Sequence, residues 1–182
     1  MDKKLRNDIV EWDVQNWSRA IDFWKLPNDL RGKKVLDIGG RNGGLSLLFA
    51  LMGANVVCSD INIHGFEKAK ALHERYGVSD RIAYKQMDAT ALNTESEYDI
   101  ITYKSVWGAV GYDNHFDRQE IMARNIYRAL KADGTLYFCE NLTGSLLHRF
   151  LRNRFISWGN SREMSYKAWI GALCILLLML ID

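Results

Sequence analysis

The sequence is poor in the features that usually announce a special class. Pro27 is its single proline, and no stretch rich in Gly, Pro or Ser divides the chain. A linker between separate domains is therefore not expected. The three cysteines, Cys58, Cys139 and Cys174, are scattered and form no CxxC pair. That excludes a disulfide framework and a zinc knuckle, and reduced cytoplasm is the natural setting. No HExxH pair or other ligand spacing links the four histidines, so no metal is expected. Charge of one sign is also lacking. With 24 basic and 22 acidic residues the net charge is +2, which gives no electrostatic footprint for a nucleic-acid partner. The charged start, MDKKLRNDIVEW, has no apolar core of a secretory signal. The longest apolar run, Ala168 to Ile181, would span about 21 Å as a helix, short of the roughly 30 Å hydrocarbon core. It is expected to be a buried element or a surface-seeking tail.

What remains is an ordinary globular composition, 48% apolar and 25% charged over 182 residues, enough for one compact domain. Leu5, Ile9, Trp12, Ile21 and Trp24 recur near helical spacing, which predicts one amphipathic helix or two short ones over 3–25, closed by Pro27 and Asn28. Short apolar runs then alternate with helical patterns. Strands are predicted at Val35–Ile38, Asn55–Asp60, Arg81–Asp88, Tyr98–Val106 and Thr135–Asn141. Helices are predicted at Leu45–Gly53, Phe66–Gly77 and Asp117–Gly134. This order implies an α/β fold, a doubly wound, mostly parallel Rossmann-like sheet with helices on both faces.

The first strand runs into a glycine cluster, Gly39-Gly40-Arg41-Asn42-Gly43-Gly44, that opens a helix. Such a turn offers backbone N–H groups to a ligand. Gly39 and Gly44 have P-loop spacing, but Leu45 stands where the phosphate-binding lysine belongs. They also fit the outer positions of GxGxxG, but Arg41 fills the middle one and Asp37 would sit near two phosphates. Both features count against a nicotinamide dinucleotide. A ligand with an adenosine end and a positively charged amino-acid end suits the site better. Asp37 ends strand one, where a carboxylate can meet an ammonium. Asp60 ends strand two, 21 residues after Gly39, the position from which a carboxylate accepts from ribose hydroxyls. Asp88, followed by Ala89, ends strand three, within reach of an exocyclic amine.

VLDIGGRNGG, VVCSDIN, KQMDATAL, YDIITYKSV and LKADGTLYFCEN, in this order from Val35 to Asn141, resemble the successive motifs of class I S-adenosylmethionine-dependent methyltransferases. The resemblance implies that S-adenosyl-L-methionine is the cofactor. It implies that Asp37, Gly39, Gly40 and Gly43 line its methionine end, and that Asp60 with Ile61 holds the ribose. Asp88 and Ala89 would flank adenine, and Lys104 and Ser105 would lie beneath the sulfonium. Arg41 departs from the family's frequent middle glycine, but a methionine carboxylate offers it a partner. Plainer alternatives stand beside these roles: Asp37 as a brace of the loop, Asp60 as a helix cap, Asp88 as a surface turn acid.

For transfer to an oxygen acceptor a general base is needed, and His115, in the loop after strand four, and Glu140, ending strand five, are the candidates. A solvent-exposed loop histidine is the alternative for His115. His73 and His148 are expected at the surface. Trp17, off the Leu5–Ile9–Trp12 stripe, is expected as a lid residue over the cofactor. The organisation expected is a helical cap over 1–32, a cofactor-binding core over 33–141, and a basic, aromatic segment with an apolar tail over 142–182. The resemblance implies two further edge strands there, of which CILLLMLI supplies one, so the substrate side is either rebuilt or incomplete. Segment 148–181 is a candidate for weak membrane-surface contact, against the alternative of a solvated face, and the apolar tail for homodimerisation. The function expected is methyl transfer to a small-molecule, saccharide or lipid-linked acceptor. Alternatives are a cofactor-binding domain without turnover, or a nicotinamide-dependent oxidoreductase.

Overall fold

A computed structural model describes residues 1–140, so expectations about the basic segment, the apolar tail and His148 lie outside the described residues. The N-terminal pattern resolves into two short helices, α1 (Lys3–Val10) and α2 (Val14–Phe23). Asp2 caps α1 by accepting from the Leu5 N–H at 2.8 Å. Helix α2 stops four residues before Pro27, because Lys25 turns into the left-handed region at φ 49°. Five strands follow: β1 (Lys34–Ile38), β2 (Asn55–Asp60), β3 (Ile82–Gln86), β4 (Tyr98–Lys104) and β5 (Leu130–Cys139). Between them stand α3 (Gly44–Leu51), α4 (Phe66–Arg75), α5 (Trp107–Val110) and α6 (Phe116–Ala129).

All strand pairs are parallel, in the order β3-β2-β1-β4-β5. The period of two along β1 divides the core. Val35, with Val56 and Ile100, faces Ile9, Val10, Trp17, Phe49 and Phe66 from helices α1 to α4. Leu36 and Ile38, with Ile101 and Tyr103, face Trp107, Met122 and Ile126 from α5 and α6. Both faces are covered, as a parallel sheet requires. Helices α1 and α2 share the first of these cores with the sheet rather than forming one of their own.

One predicted boundary is corrected. The helix expected to run to Gly134 ends at Ala129, and Leu130 is already extended (φ −70°, ψ 142°) and paired with Tyr98. Thr135 pairs with Ile100, so residues 131–134 bulge opposite Asp99. The bulge has a chemical anchor. The Asp99 side chain, 11% exposed, accepts from Lys131 Nζ at 2.8 Å, the Lys34 N–H at 2.9 Å and Lys33 Nζ at 3.3 Å. Burial pushes its pKa up, but the three donors together outweigh this and hold it at about 2. Among the described residues no helix is long and apolar enough to cross a membrane.

Replacing this carboxylate should therefore unlock the amino ends of β1, β4 and β5. Asp99→Asn is expected to lower the unfolding free energy by about 2–3 kcal/mol at pH 7 in a urea titration. Because the folded pKa is depressed, that stabilisation is present above about pH 4 and is lost as pH falls towards 2. The gap between wild type and variant should close over that window; equal urea midpoints at pH 7 would contradict the assignment.

Candidate functional site

The strand order reverses between β1 and β4: the chain steps outward from β1 to β2 and β3, then returns to β4 on the other side. At such a switch point the loops leaving the two carboxyl ends diverge and open a crevice. The loop after β1 is the glycine turn. Gly39 (φ 69°) lies against Val106 of the loop after β4, whose Cγ2 would be 2.5 Å from any added Cβ. The Gly40 N–H donates to the Ser59 carbonyl at 2.8 Å and the Gly43 N–H to the Gly40 carbonyl at 2.7 Å. Gly43, at φ 86°, opens α3 by accepting from the Leu47 N–H. A side chain at that φ would be strained.

Asp37 lies beneath this turn, 1% exposed. Its Oδ2 accepts from Ser46 Oγ at 2.6 Å, and its main-chain carbonyl accepts from Ser59 Oγ at 2.8 Å. Burial pushes its carboxyl up to about pKa 7, only partly offset by the Ser46 hydrogen bond. Asp37 therefore braces the turn in this structure, and its carboxyl also lines a recess bounded by Gly39, Arg41, Lys104, Glu11 and Trp12.

The corner between α1 and α2 lines that recess, whose volume is about 10 Å³, the lower limit for one water. Glu11 takes a φ of 65° and Asp13 one of 44°, both unusual for residues with side chains. The Glu11 carboxylate accepts from Asn42 Nδ2 at 3.1 Å and from the Gly44 N–H, longer, at 3.4 Å. Trp12 lies between two cations, with Lys104 Nζ 3.8 Å and Arg41 Cζ 5.0 Å from its ring centre. Lys104 is buried and donates to the Val10 carbonyl. Burial lowers its pKa, while Glu11 and Asp37 act in the opposite direction.

The sites expected along the outer strands lie at their ends. Asp60 is half-buried and accepts from the Arg41 N–H at 3.1 Å through Oδ2 and from the Asn62 N–H at 2.8 Å through Oδ1. Each oxygen keeps a second lone pair for a ligand hydroxyl. Ile61 beside it is 61% exposed. Asp88 accepts from the Thr90 N–H and hydroxyl, both at 2.8 Å, and meets Arg118 of α6 at 3.4 Å; Ala89 next to it is buried.

Other expectations fare differently. Trp17 is 4% exposed and belongs to the core, with Trp12 edge-on at 6.2 Å. Its position on α2 turns it inward, and Trp12, not Trp17, lines the recess. His115 is exposed, 3.9 Å from Asp117, and does not line the recess. The Glu140 carboxylate accepts from the Trp107 N–H at 2.6 Å, bracing the start of α5. Ser105, at φ 57°, carries the chain from β4 into that loop, its N–H donating to the Cys139 carbonyl. His73 is not at the surface: it has no exposure and touches the glycine turn. Its signal was its place on the Phe66–Ala69–His73 stripe of α4. Ser46, the only polar residue in Gly44–Leu51, was equally legible. Glu11 carried no signal of its role. Among the described residues no cluster of three or more His, Cys, Asp or Glu could hold a metal.

Fold and site together define a doubly wound α/β protein with a ligand crevice at the switch point, where a glycine turn, two cations and two acids line one recess and further acids stand at the outer strand ends. The donor set fits S-adenosylmethionine: acceptors at Asp60 and Asp88 for an adenosine, Arg41, Lys104 and the Gly44 N–H for a carboxylate, and Asp37 for an ammonium. Residues 35–134 match the family model described as a methyltransferase domain, and the chain belongs to that family. It is 32% identical over 141 residues to the ubiquinone/menaquinone biosynthesis C-methyltransferase UbiE of Pectobacterium carotovorum, covering 75% of this chain and 53% of that protein. The chain thus spans about half the length of the curated relatives it matches. Phosphoethanolamine N-methyltransferase 1 of Haemonchus contortus, solved with phosphoethanolamine and S-adenosylhomocysteine, superposes with a TM-score of 0.58 at 22% identity, over 85% of this chain and 30% of that one. The [4+2]-cyclase SpnF superposes with a TM-score of 0.64 at 16% identity, over 91% and 55%. At these identities the likeness is one of fold.

The buried Asp37 has a measurable signature. Its folded pKa is raised above the unfolded value, so the stability of its neutral form is complete below about pH 4 and is lost as pH rises through 7. The loss runs at up to about 1.4 kcal/mol per pH unit. Asp37→Asn, which stays neutral, should gain on wild type by about 2 kcal/mol between pH 5 and pH 8 in urea unfolding. Parallel pH profiles would contradict a buried, proton-binding carboxyl.

Proposed function

We propose that the chain is an S-adenosylmethionine-dependent methyltransferase acting on a small molecule. The amino-acid end of the cofactor would occupy the recess between the glycine turn and Lys104, the ribose would meet Asp60, and adenine would rest by Asp88 and Ala89. One observation carries the reading. Three acids stand at the carboxyl ends of adjacent parallel strands, β1, β2 and β3, on the same edge as the glycine turn. A ligand that begins at the turn and runs outward meets them in the order ammonium, hydroxyls, amine.

When bound, the cofactor supplies a methyl group already activated by its sulfonium, so the protein's share is alignment and exclusion of water. Asp60 accepts from hydroxyls while its own backbone contacts keep the carboxylate oriented. Lys104 and Arg41 offer cations to a carboxylate once Trp12, which lies against both of them, has moved aside. Glu140 stiffens the loop between β4 and α6, where an acceptor would approach. The UbiE relatives, named as C-methyltransferases of quinone biosynthesis, support a carbon acceptor on a small molecule over a saccharide. A lipid-linked acceptor would draw on residues 142–182.

Glu11 and Trp12 line the recess, so cofactor binding requires their corner to move; a cofactor binder without turnover is the second reading. Calorimetric titration with S-adenosylmethionine, S-adenosylhomocysteine and NAD tests the cofactor, and methyl transfer to a panel of acceptors separates enzyme from binder. NAD binding alone overturns both readings. Asp60→Ala should weaken S-adenosylhomocysteine binding by about 1–3 kcal/mol, the scale of lost ribose hydrogen bonds. Unchanged affinity in the folded variant removes Asp60 from the site.

A further inference from the structure

His73 lies outside the roles above, yet it is fully buried with a partner on each ring nitrogen. It projects from α4 with no exposure, its ring stacked on Tyr84 of β3 at 5.8 Å between centres. Nε2 stands 2.9 Å from the Gly43 carbonyl and Nδ1 2.7 Å from the Tyr84 hydroxyl. A carbonyl only accepts, so Nε2 carries the proton; Nδ1 of the neutral ring then accepts from Tyr84. The backbone of the turn thus dictates the tautomer. Burial, the larger influence, keeps the ring's pKa below its ordinary value.

The consequence lies on the other side of the same peptide. In a trans peptide the C=O of one residue and the N–H of the next point in opposite directions in one plane. The Gly43 carbonyl thus has two donors, the Leu47 N–H of α3 at 2.8 Å and His73 of α4 at 2.9 Å, and holding it there turns the Gly44 N–H the other way, towards Glu11, which lines the recess. The fit is tight: a Cβ on Gly43 would come within 2.5 Å of His73 Nε2, and one on Gly44 within 2.1 Å of the Ile9 carbonyl. The peptide is clamped by α4 on one side and α1 on the other.

We propose that His73 is a positioning residue, which with the Leu47 N–H locks the Gly43–Gly44 peptide plane so that the Gly44 N–H is aimed at the amino-acid end of the cofactor. The proposal rests on the cofactor reading given above. It assigns His73 no contact with the cofactor and no part in proton transfer. It also makes the effect selective, because a ligand lacking the amino-acid end gains nothing from this donor.

The test is calorimetric titration of the full chain with S-adenosylhomocysteine and, separately, with adenosine. The variants are His73→Gln, whose amide nitrogen reaches the Nε2 position and can donate to Gly43, His73→Asn, which reaches only the Nδ1 position, and His73→Leu. S-adenosylhomocysteine affinity should fall about tenfold in the Asn and Leu variants and stay within about threefold of wild type in the Gln variant. Adenosine affinity should stay within about threefold in all of them. Equal S-adenosylhomocysteine binding across the variants overturns the proposal. So does a parallel loss of both ligands, which would mean general loosening. The Gln variant keeps the test decisive if Leu does not fold, and its own failure to fold or to bind also overturns the proposal. Wild type that binds neither ligand overturns the cofactor reading and this inference with it; wild-type binding without the pattern overturns this inference alone.

Discussion

At Gly39, Gly40, Gly43 and Gly44 the backbone passes so close to its neighbours that a side chain is excluded, and the surrounding elements are placed by that contact. An added Cβ on Gly40 would come within 2.7 Å of Cys58 in β2, one on Gly43 within 2.5 Å of His73 in α4, and one on Gly44 within 2.1 Å of the Ile9 carbonyl in α1. Three elements distant in sequence meet on six residues. The turn is supported from below by Asp37 and Ser46, deep in the sheet layer, where burial makes the carboxyl a weak acid. Close packing of this kind allows few arrangements, so a small displacement at the turn is felt by α1, α3 and α4 together.

Along the carboxyl edge the cations that line the recess stand at the switch point, beside Glu11 and Asp37. Arg41 and Lys104 flank the switch point, with Trp12 between them, while Asp60 and Asp88 stand further out over β2 and β3. A ligand that carries an anionic group at one end and hydroxyl or amine donors at the other matches this arrangement in one direction only. The fold alone does not choose the reaction. That depends on groups around the transfer position, from the loops after β4 and β5 and from residues after 140.

Most of the architecture was legible because it follows from periodicity. The strands at Asn55–Asp60 and Tyr98–Lys104 stand where alternating and apolar runs put them, and Gly39 to Gly44 announced a turn before a helix. The end of α6 was misread because KADG looks like a helix terminus closing on glycine; the anchor that makes it a bulge, Asp99, is some thirty residues away in sequence. The places of Trp12 and Trp17 were misread for a similar reason. A break between α1 and α2, with Glu11 and Asp13 at positive φ, resets the helical phase, so a stripe drawn through both helices assigns the wrong faces. His73 was passed over because a histidine among charges suggests solvent, though its spacing from Phe66 and Ala69 pointed inward. Glu11 could not have been found: its role comes from tertiary contact alone.

The central claim is that the glycine turn and the recess beneath Trp12 receive the amino-acid end of S-adenosylmethionine. A crystal structure of the chain with S-adenosylhomocysteine tests it most directly. The ligand's carboxylate is expected within hydrogen-bonding distance of the Gly44 N–H, its ribose on Asp60, and the Glu11–Trp12 corner displaced from its place in the recess. A ligand bound elsewhere, or one that leaves Glu11 on Gly44 and Trp12 between its two cations, would contradict it.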